Sequence, residues 1–126
     1  MRRPEVTEFL LTRRSCPAKL LHGPAPERAA LMRMLTAAMR VPDHGKLAPW
    51  RFLVLEGAAL AGFAARIRAR AAETGQDADK GALAFEQAPM AVAVVASPQP
   101  RGEIPGIEQA LSAGGGLGAG CARAVP

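Results

Sequence analysis

The sequence is poor in aromatic residues and contains no tyrosine. Aromatic residues make up 4% of the 126 residues, although 49% of the residues are hydrophobic. Much of the hydrophobic fraction is alanine, which buries little apolar surface per residue. The length therefore fits one domain, but the core that this chain can build is small.

Cysteine and long hydrophobic runs are also scarce. Cys16 and Cys121 lack the close spacing of zinc ligands, and such isolated cysteines are typical of a reducing compartment. The longest uncharged apolar run, Ala88 to Ala96, is too short to span a bilayer. Only a short apolar stretch follows the N-terminal Met1 to Glu5, so no signal peptide is indicated. We expect a cytoplasmic protein without a metal site or a membrane partner.

Positive charge is in excess, with a net charge of +5 and a calculated pI of about 10.2. The arginines are spread along the chain, and few aromatic residues are interleaved with them. Nucleic-acid-binding domains usually gather such charge in one patch. A solvated, arginine-rich surface is the simpler interpretation, and we expect no nucleic-acid partner.

Hydrophobic spacing predicts helices around residues 6–15, 26–39 and 58–72, and the opening of another at 107–113. Two short apolar segments predict buried strands, Arg51 to Glu56 and Met90 to Ala96. The second is uncharged and rich in valine, which favours a central strand covered on both faces. Strands that alternate with helices in this way predict an α/β or an α+β domain.

A glycine-rich segment follows the last predicted helix. Residues 114–120 contain five glycines, and each costs a helix about 1 kcal/mol relative to alanine. The total of about 5 kcal/mol rivals the stability of a small domain, so we expect the helix to stop near Ala113. The segment also matches G-x-G-x-x-A, but it lacks the preceding strand that a dinucleotide site needs.

Two polar clusters are candidates for ligand binding. Arg13, Arg14 and Ser15 end the first helix, where guanidinium groups and a hydroxyl suit a phosphate; cations at a helix C-terminus are also favoured by the helix dipole alone. Arg40 to Trp50 (RVPDHGKLAPW) forms a proline-bounded loop that contains His44, which can exchange protons near neutral pH. Such a loop is either a ligand site or an ordinary polar turn.

Three segments resemble the nitroreductase family in order and approximate spacing. Phe9 to Lys19 (FLLTRRSCPAK) is similar to the family's first helix and Arg-Arg-Ser motif. Arg40 to Phe52 resembles its second motif, in the form of the compact bacterial members. Glu108 to Gly114 resembles the start of its long central helix. The resemblance covers about Val6 to Gly114.

This resemblance implies an α+β nitroreductase-like fold and an intertwined homodimer that binds FMN. Arg13, Arg14 and Ser15 would contact the ribityl-phosphate region, and Arg40 and His44 would also belong to the flavin site. NAD(P)H would reduce the flavin, which would pass electrons to a nitroaromatic, quinone or related acceptor. No side chain is then expected to act as a covalent catalyst, since the chemistry belongs to the cofactor.

The sequence departs from the family at two places. Pro17 stands where some members carry a basic residue, a role that Lys19 would have to take. After Gly114 the expected helix, strands and late phosphate-site residues do not follow, so we divide the chain into a family-like part, 1–113, and a glycine-rich tail, 114–126. A truncated gene or shifted reading frame, which the encoding DNA would reveal, is our hypothesis. The alternatives to an enzyme are a non-catalytic remnant and a small basic binding module.

Overall fold

The fold is that of a computed structural model, which describes residues 4–14, 17, 20–100 and 104–121. It contains five α-helices and two strands within those residues. A 3₁₀ turn at His44–Lys46 precedes the first strand. In chain order, the elements are α1 (Pro4–Thr12), α2 (Arg28–Ala38), β1 (Trp50–Glu56), α3 (Ala58–Thr74), α4 (Asp79–Gln87), β2 (Met90–Ala96) and α5 (Gly106–Cys121).

The two predicted strands are confirmed, and they pair antiparallel over their full length. The register runs from Trp50 opposite Ala96 to Glu56 opposite Met90. The prediction that both are buried is wrong, because β1 alternates between exposed and half-buried residues and β2 is mostly half-buried. Within the described residues each strand has one neighbour, so neither has the two covered edges of a central strand.

The predicted helices are confirmed as α1, α2, α3 and the opening of α5, whereas α4 was missed. Nine residues are too few for a helix that is stable by itself, and α4 depends on its packing against α3. Phe85 meets Phe63 edge to face with the ring centroids 4.9 Å apart. Glu86 receives two hydrogen bonds from the guanidinium of Arg68, at 2.5 and 3.0 Å.

The prediction that the helix stops near Ala113 is wrong, since α5 continues through the glycine segment to Cys121. The reason is its contact with α2. A Cβ on Gly116 would lie 3.2 Å from the backbone oxygen of Ala38, and one on Gly115 would lie 3.4 Å from the Val41 side chain. Glycine thus allows a close approach of the two helices, which offsets part of its unfavourable helix propensity.

The small core expected from the composition is present. Most of the fully buried hydrophobic residues are alanines; the set is Leu31, Ala38, Leu60, Ala64, Ala71, Ala82 and Ala113. Larger apolar side chains remain exposed on α1 and α5, among them Leu10, Leu11 and Leu111. In the described part of the chain, no helix combines the length and the apolar character needed to cross a bilayer.

Candidate functional site

The loop between α2 and β1 is shaped by the carboxylate of Asp43. Its Oδ1 accepts a hydrogen bond from the backbone N–H of Leu47 at 3.1 Å, and its Oδ2 accepts one from that of Ala48 at 2.9 Å. Pro49 is fully buried, and its carbonyl accepts the N–H of Ser97 at 2.8 Å. The loop is therefore fixed at its centre by a side chain and at its end by the neighbouring chain segment.

The backbone of this loop is unusual, because three of its residues have positive φ. The angles are 75° at Gly45, 53° at Lys46 and 46° at Ala48. Non-glycine residues rarely adopt this conformation, and when they do the strain often accompanies function. At Gly45 space is limiting as well, since a Cβ there would lie 2.5 Å from Cδ1 of Ile104. The Asp43 hydrogen bonds offset the strain and hold the loop in one shape.

His44 is presented by this loop and paired with the first turn of α5. Its Nδ1 lies 2.8 Å from Oε2 of Glu108. The two side chains are 68% and 47% exposed, so the ring is accessible to a ligand although one nitrogen is engaged. The sequence offered Glu108 only as part of a family motif and gave no sign that it would contact His44, because 64 residues separate them.

Arg40 lies just after α2 at the start of the same loop. Its side chain is exposed and forms no ion pair with another described residue. Together with Arg33 and Thr36 it lines a shallow depression along α2. The structure thus places Arg40 and His44, two predicted site residues, on one loop with their polar groups accessible.

Arg13 and Arg14 follow α1 and are exposed, whereas Ser15 lies outside the described residues. The backbone N–H of Arg13 donates to the carbonyl of Phe9 at 2.9 Å, which continues the helical hydrogen bonding of α1 by one residue. Among described residues, no ion pair occupies either guanidinium, and no hydrogen bond joins either one to the 40–48 loop. Neither arginine lines the depression beside Arg40.

An apolar cavity in the described part of the chain lies apart from the predicted site residues. It has a volume of about 330 Å³ and is bounded by α2, α4, the sheet and the glycine segment of α5. Its lining is apolar apart from His22, and none of the predicted site residues contributes to it. We assign no part of the polar site to this cavity, since it lacks the charged groups that would hold an anionic ligand.

A second residue of α5 was also missed by the sequence analysis. Gln109 is 4% exposed, and its Oε1 accepts the backbone N–H of Gln99 at 2.7 Å. Its Nε2 donates to the carbonyls of Gln99 at 3.1 Å and Ile104 at 3.4 Å. Gln109 therefore ties the loop after β2 to α5, and the same loop supplies Ile104 against Gly45.

Residues 10–119 match the sequence profile of the nitroreductase family. The chain belongs to the nitroreductase family. The matched range contains α2 to α4, both strands, the 40–48 loop and most of α5, including the part of α5 that follows Ala113. The resemblance seen in three motifs thus holds over most of the sequence.

Two curated nitroreductase relatives share about two fifths of their residues with this chain. YdjA of Escherichia coli (strain K12), provisionally named as an NAD(P)H nitroreductase, is 38% identical over 113 residues, which cover 87% of this chain and 61% of YdjA. A Haemophilus influenzae protein with the same provisional assignment is 41% identical over 110 residues, covering 84% and 59%. The chain therefore spans about three fifths of the length of these relatives.

Solved structures show that the nitroreductase fold is shared as well. A nitroreductase-like family protein from Bacillus cereus superposes with a TM-score of 0.74 at 18% identity, covering 98% of this chain and 66% of that one. A nitroreductase family protein from Clostridium novyi NT gives 0.68 at 23% identity, covering 93% and 62%. The predicted α+β nitroreductase-like fold is confirmed.

Proposed function

We propose that this chain forms part of the FMN site of an NAD(P)H-dependent oxidoreductase that acts on nitroaromatic, quinone or related acceptors. The observation that carries the proposal is the 40–48 loop. Asp43 holds it in a strained shape that exposes Arg40 and His44. Family membership and the provisional names of the relatives supply the reaction class.

The donor chemistry of the chain fits FMN. A flavin mononucleotide presents a phosphate, ribityl hydroxyls and a planar ring with hydrogen-bonding edges. Arg13, Arg14 and Arg40 are exposed guanidiniums without an internal ion pair among the described residues. Such groups bind phosphate strongly because charge and hydrogen bonding act together. Bound FMN supplies the hydride chemistry, and the chain supplies binding and orientation.

Each site residue has a defined part in this proposal. Arg13, Arg14 and Ser15 bind the ribityl-phosphate region, as the family motif implies. Arg40 and His44 contribute further flavin contacts from a loop whose shape is already fixed. Pre-formed loops lose little conformational entropy when a ligand binds, so the Asp43 hydrogen bonds contribute to affinity without contacting the flavin.

The proposal includes a homodimer. Phe9, Leu10 and Leu11 on α1 are exposed, as are Ile107 and Leu111 on α5. Contact with a second subunit would remove these apolar side chains from water, which is favourable. A second subunit that covers α1 would also lie next to Arg13 and Arg14, the cations that follow this helix.

Titration of FMN with the purified chain tests the proposal, with flavin fluorescence as the readout. A charge-assisted hydrogen bond contributes about 1.5–3 kcal/mol, so Arg40→Ala and Arg13→Ala should each weaken FMN binding by roughly tenfold or more. Arg66→Ala is the matched control, because Arg66 is an exposed arginine of α3 without an ion pair to another described residue.

The same samples separate this function from its alternatives. Bound flavin together with NAD(P)H oxidation supports the oxidoreductase. The alanine-rich core and exposed apolar surface favour a non-catalytic remnant as the second candidate, which predicts a colourless, loosely packed protein. Equal weakening by Arg66→Ala would show a non-specific charge effect, and salt-sensitive nucleic-acid binding without flavin would favour a basic binding module.

A further inference from the structure

The contact between Glu108 and His44 constrains the protons on the imidazole ring. Carboxylate oxygens only accept hydrogen bonds, so the 2.8 Å contact requires Nδ1 of His44 to carry the hydrogen. A neutral ring has one protonated nitrogen. In the neutral form of His44, therefore, Nε2 carries a lone pair and can only accept.

This arrangement opposes the usual preference of a histidine side chain, whose neutral ring in water favours the form with hydrogen on Nε2. A partner on one ring nitrogen determines the role of the other. The pair thus specifies both the rotation of the His44 ring and the hydrogen-bonding character of its exposed nitrogen.

We propose that Glu108 is a positioning residue that makes Nε2 of His44 a hydrogen-bond acceptor for a hydroxyl or N–H group of the bound cofactor. The inference rests on the proposed flavin function, and it specifies which chemical groups of the flavin His44 recognises. A ribityl hydroxyl and the ring imide N–H are groups of this kind, whereas a fully ionised phosphate offers no hydrogen to donate.

Glu108 is suited to this role by its place on α5. It lies in the first turn of the helix, where a carboxylate is favoured by the helix dipole. The next residue, the buried Gln109, anchors the same turn through three hydrogen bonds to Gln99 and Ile104. The backbone that bears Glu108 is therefore fixed, although the glutamate side chain itself is partly exposed.

Partial exposure limits how strong the effect can be. Exposed ion pairs contribute little to stability because water competes with them. An interaction of that size changes the ratio of two ring tautomers by about fivefold at most. We therefore expect a measurable change in the ratio of the two neutral His44 tautomers, with only a minor change in the stability of the fold.

Nitrogen-15 NMR of the flavin-free protein tests the first half of the inference. At about pH 8.5 an ordinary imidazole is neutral, and the ring nitrogen shifts report the tautomer. His44 in the wild type should show a larger Nδ1–H population than a histidine without a carboxylate partner. Glu108→Ala should shift the population toward Nε2–H by about fivefold, and Glu108→Gln should restore part of it because an amide oxygen also accepts.

Two controls belong to this measurement. His22 is the other histidine, and His22→Gln assigns its signals. Glu5→Ala removes an exposed carboxylate from the first turn of α1 and should leave the His44 ring unchanged. If the Nδ1–H population of His44 is no larger in the wild type than in Glu108→Ala, or if Glu5→Ala alters the ring as much as Glu108→Ala does, the positioning role is overturned.

FMN titration of the same variants tests the second half. Glu108→Ala should weaken FMN binding by roughly threefold to fivefold, with Glu108→Gln intermediate. If the tautomer shifts in Glu108→Ala but FMN affinity does not, recognition through Nε2 is overturned even where Arg40→Ala still weakens binding. If neither the wild type nor any variant binds FMN, the proposed function fails. The NMR result still decides whether Glu108 controls the tautomer of the His44 ring.

Discussion

Alanine substitutions at two glycines of α5 test whether the glycine segment is helical because it packs against α2. Gly114 and Gly116 differ in their surroundings. A Cβ on Gly114 would meet nothing within 4 Å, whereas one on Gly116 would lie 3.2 Å from the backbone oxygen of Ala38. Both positions gain the same intrinsic helix propensity from alanine, so the difference between the two variants isolates the contact with α2.

The expected energies follow from these two distances. Gly114→Ala should raise the free energy of unfolding by about 1 kcal/mol, the usual gain for glycine to alanine inside a helix. Gly116→Ala gains the same amount but forces two helix backbones apart. Overpacking of this kind costs typically about 1–3 kcal/mol, so the net change should lie between roughly zero and 2 kcal/mol of destabilisation.

Urea unfolding followed by circular dichroism measures both changes, and the transition must first be shown to be two-state. Gly62→Ala is the control, because Gly62 lies in the middle of α3 with no atom near its Cβ position. It should behave like Gly114→Ala. If Gly116→Ala stabilises the protein as much as these two do, α5 does not approach α2 as described. If Gly114→Ala destabilises it, the segment is not helical.

Three further predictions concern side chains that hold loops and helices. Asp43→Ala frees the N–H groups of Leu47 and Ala48, so FMN titration should show weaker binding, with Asp43→Asn intermediate because one oxygen remains. Gln109→Glu places a carboxylate against the carbonyl of Gln99 and should cost about 1–3 kcal/mol in urea unfolding. The hydrogen bonds from Arg68 lower the pKa of Glu86. The ionised carboxylate therefore stabilises the folded state at pH values above the ordinary carboxyl pKa. This stabilisation is lost as the pH falls through the lowered pKa of the folded state. The stability difference between wild type and Glu86→Gln should therefore be present at about pH 7 and vanish in acid.

Local sequence patterns were sufficient to predict the positions of most helices and of both strands. The apolar residues of α2 recur at helical spacing, and the strand Met90–Ala96 is a compact valine-rich run. The missed helix α4 has only nine residues, and it is stabilised by contacts with Arg68 and Phe63 of α3. The error at the glycine segment has the same origin. Helix propensity is a local quantity, whereas the close contact of Gly116 with Ala38 depends on how α2 and α5 pack.

In the candidate site, too, local sequence indicated residues but not their contacts in the fold. Residue types and local spacing made Arg13, Arg14, Arg40 and His44 candidates, and only the family resemblance gave them a role in binding flavin, which stays a prediction. Local sequence did not predict which residues these side chains contact. The pairing of His44 with Glu108 joins positions far apart in the chain, and nothing in the local spacing of either residue predicts it.

The first turn of α5 links these observations, because consecutive residues there support the two segments that shape the site. Glu108 engages His44 of the 40–48 loop, and Gln109 engages Gln99 and Ile104 of the loop after β2. Ile104 in turn occupies the space beside Gly45. The two loops therefore support each other through one helical turn. A substitution of Gln109 that displaces this turn should therefore alter the polar loop, although the buried Gln109 side chain bonds only to Gln99 and Ile104 among the described residues.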